Sequence, residues 1–395
     1  MVDTPRLTRE EHFYSVQPKR LLALDGGGIR GIISLAFLER IEQILKERMD
    51  YSQFCLADYF DLVGGVSTGS IIATGIALGR STADLIELYL RLSHQSFKPR
   101  RFMGGMFASK FDASALRNAL TDQFGAETLG SDHLRCGLGI IAKRLDTGSV
   151  WLFHNHPKGP YFFPESDSKT STPNRDLLLV DLLRASTAAP TYFAPELIQV
   201  SPNAKGLFVD GGVSPHNNPA LLLMMLATLQ GYGFRWPVGA DRLLLASIGT
   251  GSPQLKLDMK SFIRRPALLL AVDALRSLMD DCNWLTQTLM QWLGDTPTRW
   301  HIDTEIGDLA GDSLESPLVH YLRYDAHLTA EWLERRLGLV LEPSKLERLK
   351  EMDLPHLAPE LLDIGRRAAE LQVTAEHFPA RFDVQRRSDS IAIPN

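Results

Sequence analysis

The sequence predicts an α/β protein with a mostly parallel sheet, and three observations lead to this fold class. Short, continuous apolar runs, typical of buried parallel strands, recur along the chain. Several of these runs end at a glycine-containing turn and are followed by a segment with helical periodicity. The chain has 395 residues, of which 44% are hydrophobic, enough to cover such a sheet with helices. We therefore expect one continuous α/β domain.

Two strand-turn-helix units begin the regular part of the chain. Residues 21–24 read LLAL and predict the first strand, which is followed by a glycine turn and then by apolar residues at helical spacing up to Met49. Residues 60–63 read FDLV and predict the second strand, followed by a turn around Ser67 and an apolar helix over 71–78. Repetition of this unit is typical of a parallel sheet covered by helices.

Further strands and one further helix are predicted downstream. Residues 138–143 and 150–153 alternate around a turn and predict a β-hairpin. Residues 206–209 predict another strand, and the helix that follows is predicted over 219–229. Residues 242–248 predict the last strong strand.

The C-terminal part of the sequence is predicted to be largely helical. This helical portion spans about 262–380. The apolar residues at helical spacing over 268–292 are expected to face the core, and a lid or a partner surface is the second interpretation. We expect residues 1–18 to be an N-terminal extension, 19–380 the domain, and 381–395 a C-terminal tail.

Composition and charge narrow the functional class. With 42 basic and 47 acidic residues, the net charge of −5 gives no reason to expect a nucleic-acid partner. The three cysteines are scattered, which indicates a reducing compartment. Residues 1–17 lack the apolar core of a signal peptide, and no run of about 18 apolar residues predicts a membrane span. We expect a cytoplasmic protein; peripheral membrane association stays open, because residues 96–107 mix basic, aromatic and methionine side chains.

The turn after the second predicted strand has the pattern of a nucleophile elbow. Residues 65–69 read GVSTG, so Gly65 and Gly69 flank Ser67 between an apolar strand and an apolar helix. Glycines remove side chains that would collide in this tight turn, and the helix directs its positive end toward the serine. Ser67 is therefore the candidate nucleophile; the alternative is a turn whose serine caps the helix.

A second glycine-flanked turn supplies a carboxylate. Asp210, followed by Gly211 and Gly212, lies 143 residues after Ser67 at the end of a predicted strand. A serine hydroxyl needs a base, and burial raises the pKa of an aspartate so that it can accept a proton near neutral pH. Asp210 is the candidate base, although an Asp-Gly turn by itself is common.

The first glycine turn, residues 25–31, reads DGGGIRG. Its consecutive glycines lie between a strand and a helix, so the backbone N–H groups of Gly26, Gly27 and Gly28 are candidates for an oxyanion hole. Arg30 is a candidate for contact with an anion or a phosphate, and the alternative is a surface salt bridge.

The same turn also matches the G-x-G-x-x-G fingerprint of dinucleotide-binding proteins. That fingerprint requires an acidic residue about 20 positions later at the end of a second strand. The acidic residues in that region, Glu42, Glu47 and Asp50, lie on or just after a predicted helix instead. Dinucleotide binding is therefore kept only as a lesser alternative.

Together these motifs resemble those of the patatin-like phospholipases over roughly residues 20–222. The resemblance rests on the glycine turn, the Ser67 elbow and the Asp210 turn, together with residues 185–195, which read ASTAAPTYFAP. It implies a patatin-like three-layer α/β/α sandwich and hydrolysis of the fatty-acyl esters of membrane phospholipids. The Ser67–Asp210 dyad would form an acyl-enzyme, with no metal, calcium or cofactor.

The resemblance also bears on regulation and partners. Some bacterial members of the family are antiphage effectors that cyclic nucleotides activate, which allows a cyclic-nucleotide activator here. The helical C-terminal portion would suit a gate or a homo-oligomer interface. Val66 departs slightly from the family, because a threonine or another small residue is frequent at its position.

A Ser-His-Asp carboxylesterase acting on small soluble esters is the main alternative. In the α/β-hydrolase order, the histidine follows the acidic residue. Six histidines follow Asp210, and His216 is only six residues beyond it. A turn or helix-capping role is the preferred interpretation of His216, so the dyad remains the leading hypothesis.

Overall fold

The structure is a computed structural model that describes residues 6–96, 110–163, 171–252 and 267–384. The segment 96–107, expected to meet membranes, lies almost entirely outside these residues. Within the described ranges, no helix combines the length and apolar composition that crossing a bilayer requires.

A nine-stranded sheet runs through the described chain. Its strands are β1 (Lys19–Leu24), β2 (Leu62–Val66), β3 (Gly137–Arg144), β4 (Val150–His154), β5 (Glu196–Ser201), β6 (Ala204–Asp210), β7 (Leu243–Ile248), β8 (Gly294–Asp295) and β9 (Val319–Tyr324). They are ordered β5-β6-β3-β2-β1-β7-β9-β8, and β4 pairs with β3 as a hairpin. Among these strands five pairs are parallel and three are antiparallel, so the predicted mostly parallel sheet is confirmed.

The helices of the described ranges surround this sheet. They are α1 (Arg9–Tyr14), α2 (Gly31–Met49), α3 (Thr68–Ala77), α4 (Thr82–Ser96), α5 (Ala113–Phe124), α6 (Leu179–Ser186), α7 (Ala220–Thr228), α8 (Ala267–Leu293), α9 (Ala330–Leu337), α10 (Pro343–Leu349) and α11 (Ala358–Gln372).

Alternation along the strands divides the buried hydrophobic residues into two cores. On β1, Leu22 and Leu24 belong to the larger core, which α2 to α6 and α11 cover. Leu21 and Ala23 point to the other face and belong to a smaller core with α7 and Met290 of α8. The sheet therefore lies between two helical layers, which confirms the three-layer α/β/α sandwich.

Two strands of the sheet, the two-residue β8 and the longer β9, lie inside the region predicted to be largely helical. The prediction that residues 242–248 form the last strong strand is wrong. Strand β9 lies further along the chain and pairs in parallel with β7. The sequence VHYLRY of β9 places His320 and Arg323 among apolar residues, which hides the continuous apolar run of a buried parallel strand. All six of its residues are nevertheless buried.

The long helix α8 only partly follows the prediction that its apolar residues face the core. Met290 is fully buried, whereas Leu278, Leu285 and Trp292 are 58%, 60% and 42% exposed. These three lie at seven-residue spacing and therefore share one face of the helix.

Residues near both ends of the described chain pack onto the domain. In the predicted N-terminal extension, Phe13 of α1 is buried in the smaller core. In the predicted tail, Phe382 and Val384 are buried in the larger core. The boundaries at residues 18 and 381 stay predictions.

Candidate active site

The sheet brings the two predicted catalytic turns together beside β3. Val66, the last residue of β2, pairs with Ile141, and Asp210, the last residue of β6, pairs with Ala142. Because Ile141 and Ala142 are consecutive on β3, the turn after β2 and the end of β6 lie at the same level of the sheet. Strand pairing thus joins two turns that are 143 residues apart along the chain.

Ser67 has the backbone conformation expected of a nucleophile elbow. Its φ of 53° and ψ of −131° are unusual for a residue with a side chain, and it immediately precedes α3. Its side chain makes no capping bond to α3; the Oγ instead donates a hydrogen bond to Oδ2 of Asp210 at 2.5 Å. The geometry favours a nucleophile over a helix-capping serine.

The Asp210 carboxylate is held by its own turn and is almost fully buried. Its Oδ1 accepts a hydrogen bond from the N–H of Gly212 at 2.7 Å, which leaves Oδ2 to face Ser67. Burial raises the pKa of Asp210 to about 6, although the hydrogen bonds from Ser67 and Gly212 oppose that rise. Such a carboxylate is ionised at neutral pH and is a stronger base than an exposed aspartate.

The glycines that flank these two residues allow close backbone contacts. A Cβ at Gly69 would lie 2.5 Å from the carbonyl oxygen of Leu24, and one at Gly65 would overlap the backbone of Gly69. At the other turn, a Cβ at Gly211 would lie 2.6 Å from the carbonyl oxygen of Ile141. Side chains at these positions would therefore displace the two turns from the backbone against which they pack.

The glycine loop lies beside Ser67, since a Cβ at Gly26 would be 3.1 Å from the Cβ of Ser67. The N–H of Gly26 donates to the carbonyl of Asn217 at 3.2 Å and is already used. Among the described residues, the N–H groups of Gly27 and Gly28 donate no hydrogen bond. Of the three candidates, Gly27 and Gly28 therefore offer donors to a ligand.

Arg30 is buried beneath this loop and is not the surface salt bridge that the sequence left open. Its side chain is 8% exposed, and its Nε and Nη1 have no hydrogen-bond partner in the described chain. Burial lowers the pKa of its guanidinium, while the carboxylates of Asp325, Asp280 and Glu351 act in the opposite direction. A buried, unsatisfied guanidinium is suited to contact an anionic group.

Three residues that contact these turns were not singled out from the sequence. Ser186, at the end of α6, accepts the N–H of Ser67 at 2.9 Å and donates to the carbonyl of Ile141 at 2.6 Å. Thr250, after β7, donates to the carbonyl of Gly26 at 3.0 Å. The guanidinium of Arg323, on β9, bonds both carboxylate oxygens of Asp25 at 3.0 and 2.7 Å. Ser186 lay within the block 185–195, but its hydroxyl gave no separate signal in the sequence.

A cavity of about 1330 Å³ lies at this site. One apolar part of its wall comes from α3, α4, α5 and the segment after α6, and includes Ile71, Leu92, Leu116, Tyr192 and Phe193. Ser67, Asp210 and the glycine loop also face the cavity. An apolar wall beside a nucleophile and a base is suited to a substrate with an acyl chain.

No described histidine lines this cavity. His216 is half-buried, burial lowers its pKa, and its backbone N–H bonds Ser214 rather than a catalytic group. The geometry therefore gives the Ser-His-Asp alternative no support. In the described ranges, no cluster of three or more His, Cys, Asp or Glu residues is arranged to hold a metal ion.

The dinucleotide alternative is also disfavoured by the site. The fingerprint needs a carboxylate at the end of the second strand, but β2 ends at Val66 and is followed by Ser67. The glycine loop is closed from one side by Met352, whose carbonyl oxygen accepts the N–H of Ile29 at 2.8 Å.

The Ser186 hydroxyl is expected to position the elbow without taking part in the chemistry. Replacing it with alanine leaves the N–H of Ser67 and the carbonyl of Ile141 without a buried partner, at a cost of about 1–3 kcal/mol. We expect Ser186→Ala to lower kcat about 3- to 30-fold with little change in KM. Thr82→Ala, which removes the hydrogen bond of a buried side chain to Glu42 outside the cavity lining, is the matched control. Equal kcat in the two variants would contradict this role.

Comparison with known proteins places the site in a family context. Residues 22–224, slightly more than half of the chain, match the family profile described as patatin-like phospholipase. Ser67, Asp210 and the glycine loop all lie within the matched residues, whereas Thr250 and Arg323 lie beyond them.

The chain is also similar to curated proteins. It is 34% identical over 207 residues to a cGAMP-activated phospholipase of Escherichia coli, covering 51% of this chain and 54% of that protein. It is 30% identical over 213 residues to a cGAMP-activated phospholipase of Vibrio cholerae, covering 51% and 56%. It is 29% identical over 248 residues to Patatin-T5 of Solanum tuberosum, covering 59% and 60%. The matches thus span little more than half the length of these relatives.

Proposed function

Because this chain belongs to the patatin-like phospholipase family, we propose that it hydrolyses the fatty-acyl esters of membrane phospholipids with a Ser67–Asp210 dyad. The observation that carries this proposal is the 2.5 Å hydrogen bond from the Ser67 Oγ to the Asp210 carboxylate at the wall of an acyl-sized cavity. The names of the relatives agree with lipid hydrolysis as the reaction class.

Acylation begins when the Ser67 Oγ attacks the ester carbonyl carbon while its proton passes to Oδ2 of Asp210. The negative charge that develops on the carbonyl oxygen is stabilised by the N–H groups of Gly27 and Gly28. The tetrahedral intermediate then expels the lysophospholipid alkoxide, which takes the proton from Asp210. The fatty acyl group remains as an ester on Ser67.

Deacylation repeats these steps with water as the nucleophile. The Asp210 carboxylate takes a proton from water as the water oxygen attacks the acyl carbon. The fatty acid leaves as the proton returns to the Ser67 oxygen, which restores the starting dyad. No group outside the chain is required for this proton balance.

The proposal is tested by incubating the protein with a phospholipid labelled in its acyl chain. We expect release of free fatty acid and lysophospholipid, and covalent labelling of Ser67 by a fluorophosphonate that blocks this release. Small soluble esters as the only substrates would instead favour a carboxylesterase. Labelling at another serine would remove Ser67 from the mechanism.

The raised pKa of Asp210 predicts a particular acid limit for activity. Only the ionised carboxylate can accept the serine proton, and this form is lost as the pH falls through the pKa of about 6. We expect kcat/KM on a monomeric neutral ester to be level above about pH 7 and to fall tenfold per pH unit well below 6. Circular dichroism over the same range controls for unfolding. Full activity retained to about pH 4, the range of an exposed aspartate, would contradict this assignment.

We extend the proposal to how the enzyme is activated and where it acts. Activation by a cyclic nucleotide is proposed from the two bacterial relatives whose names state it, and antiviral defence would be its setting. Adding cGAMP to the lipid assay tests this: activity that rises with the nucleotide supports a switch, and equal activity without it removes the switch. Action at a membrane surface from the cytoplasm, and assembly as a homo-oligomer, stay predictions.

A further inference from the structure

The cavity that holds the dyad has a strongly negative lining. Among the described residues around it, eight carboxylates face three basic side chains. Two of these three basic groups are already paired, since Arg323 bonds Asp25 and Lys350 bonds Glu347. A lining with more carboxylates than basic side chains is unexpected for a substrate whose phosphate is itself an anion.

Two carboxylates of the lining lie outside the ion pairs of the described chain, although one of them, Glu351, acts on the charge of Arg30 from a longer distance. Asp281 on α8 and Glu351 after α10 are both exposed, and neither side chain makes a hydrogen bond or an ion pair with a described residue. They are therefore available to a cation that enters the cavity.

An aromatic side chain lies next to one of these carboxylates. Trp284 is three residues after Asp281 on α8, so the two side chains share a face of the helix, and both line the cavity. The rings of Trp284 and Trp300 pack edge to face, with centroids 6.0 Å apart at an angle of 67°. A carboxylate beside an indole ring is a common arrangement for binding an ammonium group.

Arg30 supplies a second, independent indication of a ligand. Its guanidinium is more than nine-tenths buried, faces the cavity, and has two nitrogens without a hydrogen-bond partner. It is the one basic side chain of the lining that is not paired in the described chain. The cavity thus presents one guanidinium outside the ion pairs of the described chain, together with the carboxylates of Asp281 and Glu351, which also lie outside them.

We propose that this arrangement selects phospholipids whose headgroup carries an ammonium, such as ethanolamine, over lipids whose headgroup is only anionic. The phosphate lies toward Arg30, and the ammonium lies among Asp281, Glu351 and Trp284. This inference rests on the proposed lipid hydrolysis and adds the substrate class. A lipid without an ammonium brings only its negative phosphate into a lining that already has more carboxylates than basic groups, which disfavours its binding.

The test compares three short-chain lipids that stay monomeric, so that no charged interface contributes. They are dihexanoyl-phosphatidylethanolamine, its N-acetylated form, which lacks the ammonium charge, and dihexanoyl-phosphatidylglycerol. For the full chain, assayed with and without cGAMP, we expect kcat/KM to be roughly tenfold higher for the ethanolamine lipid than for either other lipid.

The variant Asp281→Asn/Glu351→Gln removes two charges from the proposed ammonium site and leaves the dyad intact. We expect it to reduce the preference to about twofold or less. Asp122→Asn/Glu370→Gln is the matched control, since both residues are exposed and lie outside the cavity lining, and it should keep the tenfold preference.

The outcomes separate this inference from the function on which it rests. Equal turnover of all three lipids by the unmodified chain would overturn the headgroup preference while leaving lipid hydrolysis in place. An unchanged preference in the Asp281/Glu351 variant would overturn the assignment of the ammonium site. Hydrolysis of none of the lipids, with or without cGAMP, would overturn the proposed function and this inference together.

Discussion

Replacing Ser67 with alanine is expected to reduce hydrolysis of labelled phospholipid by about 10³-fold or more, because the acyl-enzyme can no longer form. Asp210→Asn keeps the shape of the side chain but cannot accept the serine proton, and a loss of about 10²–10⁴-fold in kcat is expected. Both losses should appear in kcat rather than in KM, since neither residue lies in the apolar wall of the cavity.

We also expect a particular effect of Ser67→Ala on thermal stability. Alanine and serine have similar difficulty with the φ of 53° at position 67, so Ser67→Ala should unfold at nearly the temperature of the unmodified chain. Ser316→Ala and Asp312→Asn are matched controls, because both residues are exposed and lie outside the cavity lining. Unchanged turnover in the Ser67 and Asp210 variants would refute the dyad.

The second large effect is expected at Arg323, far outside the matched family region. Its guanidinium is 4% exposed and bonds both oxygens of Asp25, at the point where β1 enters the glycine loop. Arg323→Met leaves the Asp25 carboxylate buried without its cation, and breaking such a pair costs about 3–5 kcal/mol of unfolding free energy. Chemical denaturation measures this change.

A double-mutant cycle distinguishes the ion pair from simple loss of packing. Asp25→Asn/Arg323→Met removes both charges, so it should be clearly more stable than Arg323→Met alone. Additive costs in the double variant would show that the two side chains do not stabilise each other. We expect Arg323→Met to lower the hydrolytic activity as well. Asp25 loses its partner in this variant, and it directly precedes Gly26 of the glycine loop.

Most of the fold could be predicted because its strands have simple patterns. Strand β1 contains the continuous apolar run 21–24 between two helical layers, and β2 is an apolar strand leading directly into the elbow. Strand β9 could not be found in this way, since His320 and Arg323 interrupt its apolar pattern. Both are buried all the same, because tertiary contacts satisfy them: His320 with Asp295 and Arg323 with Asp25.

For the long helix α8, the sequence pattern predicted the helix but not which of its residues are buried. Apolar residues at helical spacing predicted a helix, and the helix is present. The same pattern could not tell which residues would be buried, and Leu278, Leu285 and Trp292 are exposed. Periodicity defines a face of a helix, whereas only the packing of other elements decides whether that face is covered.

The sequence by itself determined the candidate residues, because glycines flank Ser67 and follow Asp210. Those at 65, 69 and 211 lie where the backbone of another segment comes too close for a side chain. The tertiary structure alone decided what those residues do together. Pairing of β2 and β6 with β3 puts Oδ2 of Asp210 at 2.5 Å from the Ser67 Oγ, and burial raises the pKa of the Asp210 carboxylate. The supports of the glycine loop, Thr250 and Arg323, come from distant strands, so no local pattern could reveal them. Distances and burial are properties of the folded chain, which is why they appear only when the strands are in register.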